Sequence, residues 1–61
     1  MNVTPGETQV RFTNPKPRHR IYEGKVGTIA DMYSVRADVK VEVEGRYEPL
    51  NVHYSEIGKV S

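Results

Sequence analysis

The densest group of positive charge in this chain lies in the stretch PKPRHRIYEGKVG, residues 15–27. Lysine and arginine side chains on exposed backbone are the groups that contact phosphate oxygens of nucleic acids. Pro15 and Pro17 restrict the backbone of this stretch, which lowers the entropy lost when it binds. The stretch therefore predicts a surface for an anionic ligand. Its basic residues are Lys16, Arg18, His19, Arg20 and Lys25.

Aromatic residues near this basic stretch add a second kind of contact. Tyr22 lies within it and Tyr33 follows it, and both rings could stack on the bases of a single strand. A solvated loop, in which the arginines form ion pairs with Asp38, Glu42 or Glu48, is the alternative interpretation. The predicted nucleic-acid-binding set is Lys16, Arg18, His19, Arg20, Tyr22 and Lys25.

Acidic residues concentrate further along the chain and support a second hypothesis. The formal net charge is only +1, so composition permits a nucleic-acid partner without requiring one. A strand with an acidic face could dock on a basic protein surface or extend another sheet. In that case the protein is a protein-interaction module. The residues that would carry the contact lie between positions 38 and 48, and they are Asp38, Glu42, Glu44 and Glu48.

Catalytic and metal chemistry find little support in the sequence. His19 and His53 are 34 positions apart, and the chain has no cysteine to complete a metal site. No serine lies in a G-x-S-x-G setting, and EGKVG lacks the spacing of a phosphate-binding loop. We expect no catalytic residues, no metal, no cofactor and no small-molecule substrate.

The length and hydropathy of the chain limit the kinds of fold that can position these residues. Sixty-one residues form one domain at most, which we predict to span residues 1–61 with a flexible segment at 1–7. No apolar run approaches the roughly 20 residues that a membrane-spanning helix needs. The N-terminus has no basic and apolar leader, so we expect a cytoplasmic protein without a membrane partner.

Period-two alternation predicts the central strands. Val39, Val41 and Val43 share one face of a strand from about Ala37 to Glu44, and charged residues occupy the other face. A turn at Gly45 leads to a strand at 50–53, since Pro49 is excluded from a strand interior.

Weaker signals predict three more strands. The run KVGTIADMY alternates imperfectly, which indicates a bulge or a strand buried on both faces, and Gly27 indicates close backbone approach. A short turn at about Tyr33–Val35 joins it to the valine strand. TQVRFTN predicts a first strand, and a helical turn at about 55–57 precedes a last strand that reaches Val60.

These elements predict an all-β fold. Five short strands with one apolar face must protect their edges, which favours a single SH3-like barrel with a long loop between strands 1 and 2. Two of the four tyrosines are expected to cap the barrel with their hydroxyl groups in solvent. The predicted core is Val10, Phe12, Ile29, Val39, Val41, Val43, Leu50, Val52 and Ile57, with Ile21, Val26 or Met32 at its ends.

The segment HRIYEGKVGTI resembles the KOW element of small barrels, in which a glycine and an apolar residue follow a basic loop. Gly27 and Ile29 occupy those places. The order of His19, Tyr22, Gly24, Lys25, Gly27 and Ile29, followed by a valine-rich strand and NVHYSEI, is similar to the archaeal and eukaryotic large-subunit ribosomal protein twenty-one family. The likeness covers roughly residues 15–57. Small barrels encoded by phages and plasmids share the same pattern.

The resemblance implies a contact with RNA or a ribonucleoprotein assembly through residues 16–25. The chain departs from the ribosomal family in two ways, because it is nearly neutral and its valine strand carries Asp38, Glu42 and Glu44. Those acids would oppose an RNA-facing strand. The sequence thus leaves two interpretations open: RNA binding through the basic stretch, or protein binding through the acidic strand face at 38–48.

Overall fold

A computed structural model describes residues 3–32 and 38–60 of the chain. The predicted turn at Tyr33–Val35, and with it the stacking position proposed for Tyr33, lies outside the described residues. No helix in the described part is long and apolar enough to cross a membrane. The strands are β1 (Gln9–Phe12), β2 (Val26–Met32), β3 (Asp38–Val43), β4 (Leu50–His53) and β5 (Ile57–Lys59); two 3₁₀ helices, η1 (Pro17–Tyr22) and η2 (Tyr54–Glu56), complete the order.

The strands form one antiparallel sheet in the order β4-β3-β2-β1-β5. Strands β1 to β4 follow one another as a meander, and β5 returns to pair with the free edge of β1. The predicted all-β class and the five strands are therefore confirmed. Within the described residues β4 and β5 remain the two edges of the sheet, so the sheet is not closed into a barrel.

The valine strand and its partner agree closely with the sequence pattern. Val39, Val41 and Val43 are buried, while the alternate positions of β3 face outward. Strand β4 occupies residues 50–53, as predicted, because Pro49 delays its start and the 3₁₀ helix η2 ends it. The period-two alternation holds here because one face of the β3–β4 hairpin packs on the core and the other is exposed to solvent.

Strand β2 contains the irregularity that its sequence indicates. Its register against β3 shifts between Ile29 and Asp31, which is the signature of a bulge. Gly27 is buried, and a Cβ added there would lie 2.5 Å from Cγ1 of Val41 and 2.7 Å from the carbonyl oxygen of Glu42. The close backbone approach predicted at Gly27 is thus present, and it explains why only glycine fits this position.

The core holds nearly all of the predicted apolar residues. Eight of the nine are buried and form one cluster, while Leu50 is half-buried at its margin. The prediction for the core ends was wrong, since Ile21, Val26 and Met32 are 76%, 37% and 47% exposed. A 3₁₀ helix has three residues per turn, so the inward side chains of η1 are His19 and Tyr22, and Ile21 points outward.

The described part of the N-terminal segment is hydrogen-bonded to the sheet. The amide of Gly6 donates to the carbonyl of Ile29 at 2.7 Å, and the amide of Ile29 donates to the carbonyl of Thr8 at 2.9 Å. Val3 packs against the core cluster. Residues 3–8 therefore continue the cover of β2 on the N-terminal side of β1. They include most of the segment 1–7 that we predict to be flexible.

Candidate nucleic-acid interface

The basic stretch between β1 and β2 is folded onto the sheet rather than forming the predicted long loop. Residues 17–22 form the 3₁₀ helix η1, with Pro17 in its first turn, where a missing amide hydrogen has no consequence. After the helix, the amide of Gly24 donates to the carbonyl of Phe12, and the amide of Phe12 donates to the carbonyl of Lys25. These bonds close the segment back onto β1 immediately before β2 begins.

A buried carboxylate anchors the start of this segment. Glu56, at the end of η2, is 1% exposed and accepts three hydrogen bonds. Its Oε1 accepts from the backbone amide of Lys16 at 2.9 Å and from Nδ1 of His19 at 2.8 Å. Its Oε2 accepts from the backbone amide of His53 at 3.0 Å. One side chain thereby joins the segment before η1, η1 itself and the end of β4.

His19 does not lie where the sequence interpretation places it. The residue is 5% exposed, and its ring faces Glu56 instead of solvent. Because an ionised carboxylate can only accept, Nδ1 of His19 carries the hydrogen that joins the two side chains. A ring in this position cannot contact an external phosphate, so we remove His19 from the set of contact residues and assign it to anchoring η1.

The surroundings of Glu56 favour its charged form. Burial by itself raises the pKa of this carboxyl group, but the hydrogen bonds from the Lys16 amide, the His19 ring and the His53 amide, with the electrostatic attraction of His19, outweigh it. The pKa of Glu56 is therefore lowered from its ordinary value of 4.5. The buried carboxylate can stay ionised because three hydrogen-bond donors compensate for the water it has lost.

The remaining basic residues of the stretch are on the surface. Lys16, Arg18, Arg20 and Lys25 are all exposed. The alternative of arginines paired with Asp38, Glu42 or Glu48 is not seen among residues 3–32 and 38–60, where neither Arg18 nor Arg20 forms an ion pair. In the described part of the chain these four cationic head groups are available to a ligand.

Tyr22 has a structural contact on each side. Its ring centroid lies 5.7 Å from that of Phe12, at a tilt of 37°. Its hydroxyl oxygen accepts a hydrogen bond of 3.1 Å from Nη1 of Arg46, in the turn between β3 and β4. The ring is half-buried, so at most one face remains for the stacking that we predict. The end of η1 is in this way tied to the β3–β4 turn, as its start is tied to η2.

Sequence reasoning missed three residues in and around this segment. Glu56 and Arg46 hold the two ends of η1, and Tyr47, beside Arg46, is a fully exposed aromatic ring. The only local signal for Glu56 was its position three residues after His53, which is the spacing of a capping box. No local signal marks Arg46, whose partner Tyr22 is 24 positions away.

The acidic residues of the second hypothesis lie on and beyond β3. Asp38 and Glu42 are on the outer face of β3, with Lys40 between them on the same face. Glu44 and Glu48 are exposed in and after the turn that follows β3. Cross-strand neighbours of Lys40 are Asp31 and Asn51. The face is thus of mixed charge along the strand and acidic only toward the turn.

His53 is a helix cap. Its Nδ1 accepts from the amide of Ser55 at 3.1 Å, and its backbone amide donates to Glu56, so the two residues cap η2 reciprocally. Tyr54 stacks on the His53 ring with centroids 5.3 Å apart. Both histidines are bonded to Glu56, but His19 is bonded through its ring and His53 through its backbone amide.

Among the described residues no group of three His, Cys, Asp or Glu side chains could hold a metal ion.

Comparison of the chain with protein-family models, with curated proteins and with solved structures gives no match. The resemblance to KOW elements and to the ribosomal family therefore stays a prediction.

Proposed function

We propose that the protein is a non-enzymatic binding module that contacts RNA, alone or in a ribonucleoprotein assembly, through the cationic surface of residues 16–25. We call this surface the η1 surface, and define it by Lys16, Arg18, Arg20, Lys25 and the open face of Tyr22. An RNA ligand fits the cytoplasmic location that we predict from the sequence.

The strand order supports an SH3-like barrel of the KOW kind as the scaffold of this proposal. Strand β5 pairs with β1, and the 3₁₀ helix η2 lies immediately before β5, close to the helical turn that the sequence predicts at about 55–57. Gly27 and Ile29 also play the parts that the KOW resemblance implies, since one permits close strand approach and the other fills the core. An SH3-like barrel further requires that the sheet close between β4 and β5, and this closure is part of the proposal.

One observation carries the functional proposal: Arg18 and Arg20 are exposed and form no ion pair within the described residues, on an element fixed at both ends. Arginine is a preferred phosphate partner because its planar group donates several hydrogen bonds in a rigid fork. Anchoring through Glu56 and Arg46 means that much of the backbone ordering precedes binding. A prefolded cationic helix therefore loses less entropy on binding than a mobile loop would.

An NMR titration tests the proposal. Isotope-labelled protein is titrated with a 12-nucleotide single-stranded RNA and with the DNA of the same sequence at about 50 mM salt. We expect chemical-shift changes concentrated in residues 16–25 for the wild type. Arg18→Glu with Arg20→Glu should abolish them, because it reverses two contact charges. The control is Glu42→Lys on the outer face of β3, a charge reversal outside the η1 surface that should leave the shifts at η1 in place.

Salt dependence gives a second, independent measure. For a single strand the logarithm of the binding constant falls with the logarithm of salt concentration by about 0.7 per neutralised phosphate. Four cations predict a slope of about −3, and a variant lacking two of them a slope of about −1.4. If neither RNA nor DNA shifts any residue of the η1 surface, the proposal is wrong. The acidic surface at 38–48 would then be the one to test with basic protein partners.

A further inference from the structure

An exposed aromatic ring borders the η1 surface where the end of η1 meets the turn between β3 and β4. Arg46 of that turn donates from Nη1 to the hydroxyl oxygen of Tyr22 at 3.1 Å. The next residue is Tyr47, and no large hydrophobic side chain of the described residues is more exposed. We call this place the Tyr47 junction and define it by Tyr22, Arg46 and Tyr47.

The backbone on both sides of Tyr47 is held by hydrogen bonds of Arg46. The amide of Arg46 donates to the carbonyl oxygen of Val43 at 3.1 Å, which closes the turn after β3. Its Nε donates to the carbonyl oxygen of Glu48 at 3.2 Å, so the side chain bridges the backbone around position 47. The same guanidinium reaches Tyr22, which fixes the turn beside the end of η1. Tyr47 is therefore presented from an ordered turn before any ligand arrives, which lowers the entropy lost on binding.

Packing within the described residues gives no reason for an aromatic side chain at position 47. The ring of Tyr47 buries no surface there, so it adds nothing to the apolar area that the fold removes from water. Both of its faces are open, whereas Tyr22 keeps at most one because its other face packs near Phe12. An open aromatic face next to a cationic surface is the combination with which proteins bind unpaired bases.

The charges around the junction separate the places for phosphates and for a base. The η1 surface carries four exposed cations, while Glu44 and Glu48 are exposed on the two sides of Arg46 and Tyr47. Phosphate groups are attracted to the cations and repelled by the two acids, because like charges brought together are unfavourable. A nucleobase carries no net charge, so the acids do not exclude it. A strand whose phosphates lie on the η1 surface therefore meets the turn with a base rather than with its backbone.

We propose that Tyr47 is a base-stacking residue of the nucleic-acid site and that the ligand is a single strand rather than a duplex. The bond between Arg46 and Tyr22 holds this ring beside the η1 surface. In a duplex the bases are stacked on one another, so only an unpaired base can lie flat on the ring. The inference rests on the function proposed above and adds to it the class of nucleic acid and one contact residue.

Binding of the fluorescently labelled 12-nucleotide RNA, measured by anisotropy over a range of salt concentrations, tests the role of the ring. Tyr47→Ala should weaken binding by roughly 5- to 150-fold, as loss of one stacked base predicts. Tyr47→Leu, which keeps apolar bulk without a ring, should also weaken it, and Tyr47→Phe should bind as the wild type does. The salt slope should stay at about −3 in all three variants, because no phosphate contact is removed. Because the position is fully exposed, each variant should keep the wild-type circular dichroism spectrum.

A duplex of the same sequence separates the single-strand assignment from binding in general. Tyr47→Ala should bind the duplex as tightly as the wild type does, and an equal loss for single strand and duplex overturns the assignment. If the single strand shifts the η1 amides but Tyr47→Ala binds it as tightly as the wild type, the inference fails and the function proposed for the η1 surface stands. If neither RNA nor DNA binds, both fail. Wild-type affinity of Tyr47→Leu, or a salt slope that falls with the affinity of Tyr47→Ala, would show that the ring does not act by stacking.

Discussion

The substitution Glu56→Gln probes the anchor on which the η1 surface depends. Glutamine has the size of glutamate, but it replaces one accepting oxygen by an amide that only donates. Oε1 of Glu56 faces two donors and Oε2 faces one. Whichever way the new amide is turned, it points a donor at a donor, and a buried N–H group is left without an acceptor.

The expected loss of stability follows from these contacts. A buried polar group left unsatisfied destabilises a protein by about 1–3 kcal/mol, and the remaining hydrogen bonds lose the roughly 1 kcal/mol that charge adds to each. We expect Glu56→Gln to lower the free energy of unfolding by about 3 kcal/mol. A 61-residue domain has a total of roughly 3–9 kcal/mol. The variant should therefore lose about a third or more of that total.

Urea denaturation followed by far-ultraviolet circular dichroism measures this difference, with Glu42→Gln as the control. Glu42 is an exposed carboxylate on β3, and its loss should change stability by less than about 0.5 kcal/mol. A loss below about 0.5 kcal/mol for Glu56→Gln as well would refute the assignment of Glu56 as the anchor.

The pH dependence of the same variant supplies the sharper test. The pKa of Glu56 is lower in the folded protein than its ordinary value of 4.5, so the carboxylate contributes its stability above that pH. The contribution is lost as the pH falls through the folded pKa, because both states are then protonated. The gap between wild type and Glu56→Gln should accordingly be full at pH 7 and shrink below pH 4.5. A gap that is constant down to the acid transition contradicts the argument.

Two further substitutions test the sheet. Gly27→Ala should destabilise the fold by about 1–3 kcal/mol, because its Cβ would overlap the carbonyl oxygen of Glu42 at 2.7 Å; thermal unfolding measures it, and an unchanged midpoint would contradict the close approach. Ile29→Ala should destabilise by about 2–5 kcal/mol, since Ile29 is fully buried, whereas Ile21→Ala at a mostly exposed position should change stability by less than about 0.5 kcal/mol. Equal effects of the two isoleucine variants in urea unfolding would show that the core is wrongly assigned.

The parts of the fold that could be read from the sequence depend on local pattern. The bounds of β4, the valine face of β3 and the bulge of β2 follow from alternation, from Pro49 and from Gly27, all within a few residues of the feature they explain. The exposure of Ile21 was missed because a 3₁₀ helix of six residues is too short to show its period in the sequence. Without a visible helical period, the sequence predicts a loop in this stretch.

The candidate site could be read only in part, because its cations and its anchor are separated along the chain. Lys16, Arg18, Arg20 and Lys25 were visible as a cluster of like residue types. The bonds of Glu56 to Lys16 and His19 span 40 and 37 positions, and no pattern in one sequence connects residues at that distance. His19 consequently looked like one more basic contact, although tertiary structure turns its ring inward.

The burial of Glu56 also changes what the net charge implies about a nucleic-acid partner. A net charge of +1 permits a nucleic-acid partner without requiring one, because eight acids nearly balance nine cations. One of those acids, Glu56, is enclosed and bonded to two backbone amides and an imidazole, so it cannot pair with a surface cation. The backbone amides thus stabilise the charge of this carboxylate, which an arginine side chain would otherwise have to do. Arg18 and Arg20 stay available on the surface, and the same contacts that satisfy the interior acid hold the helix that presents them.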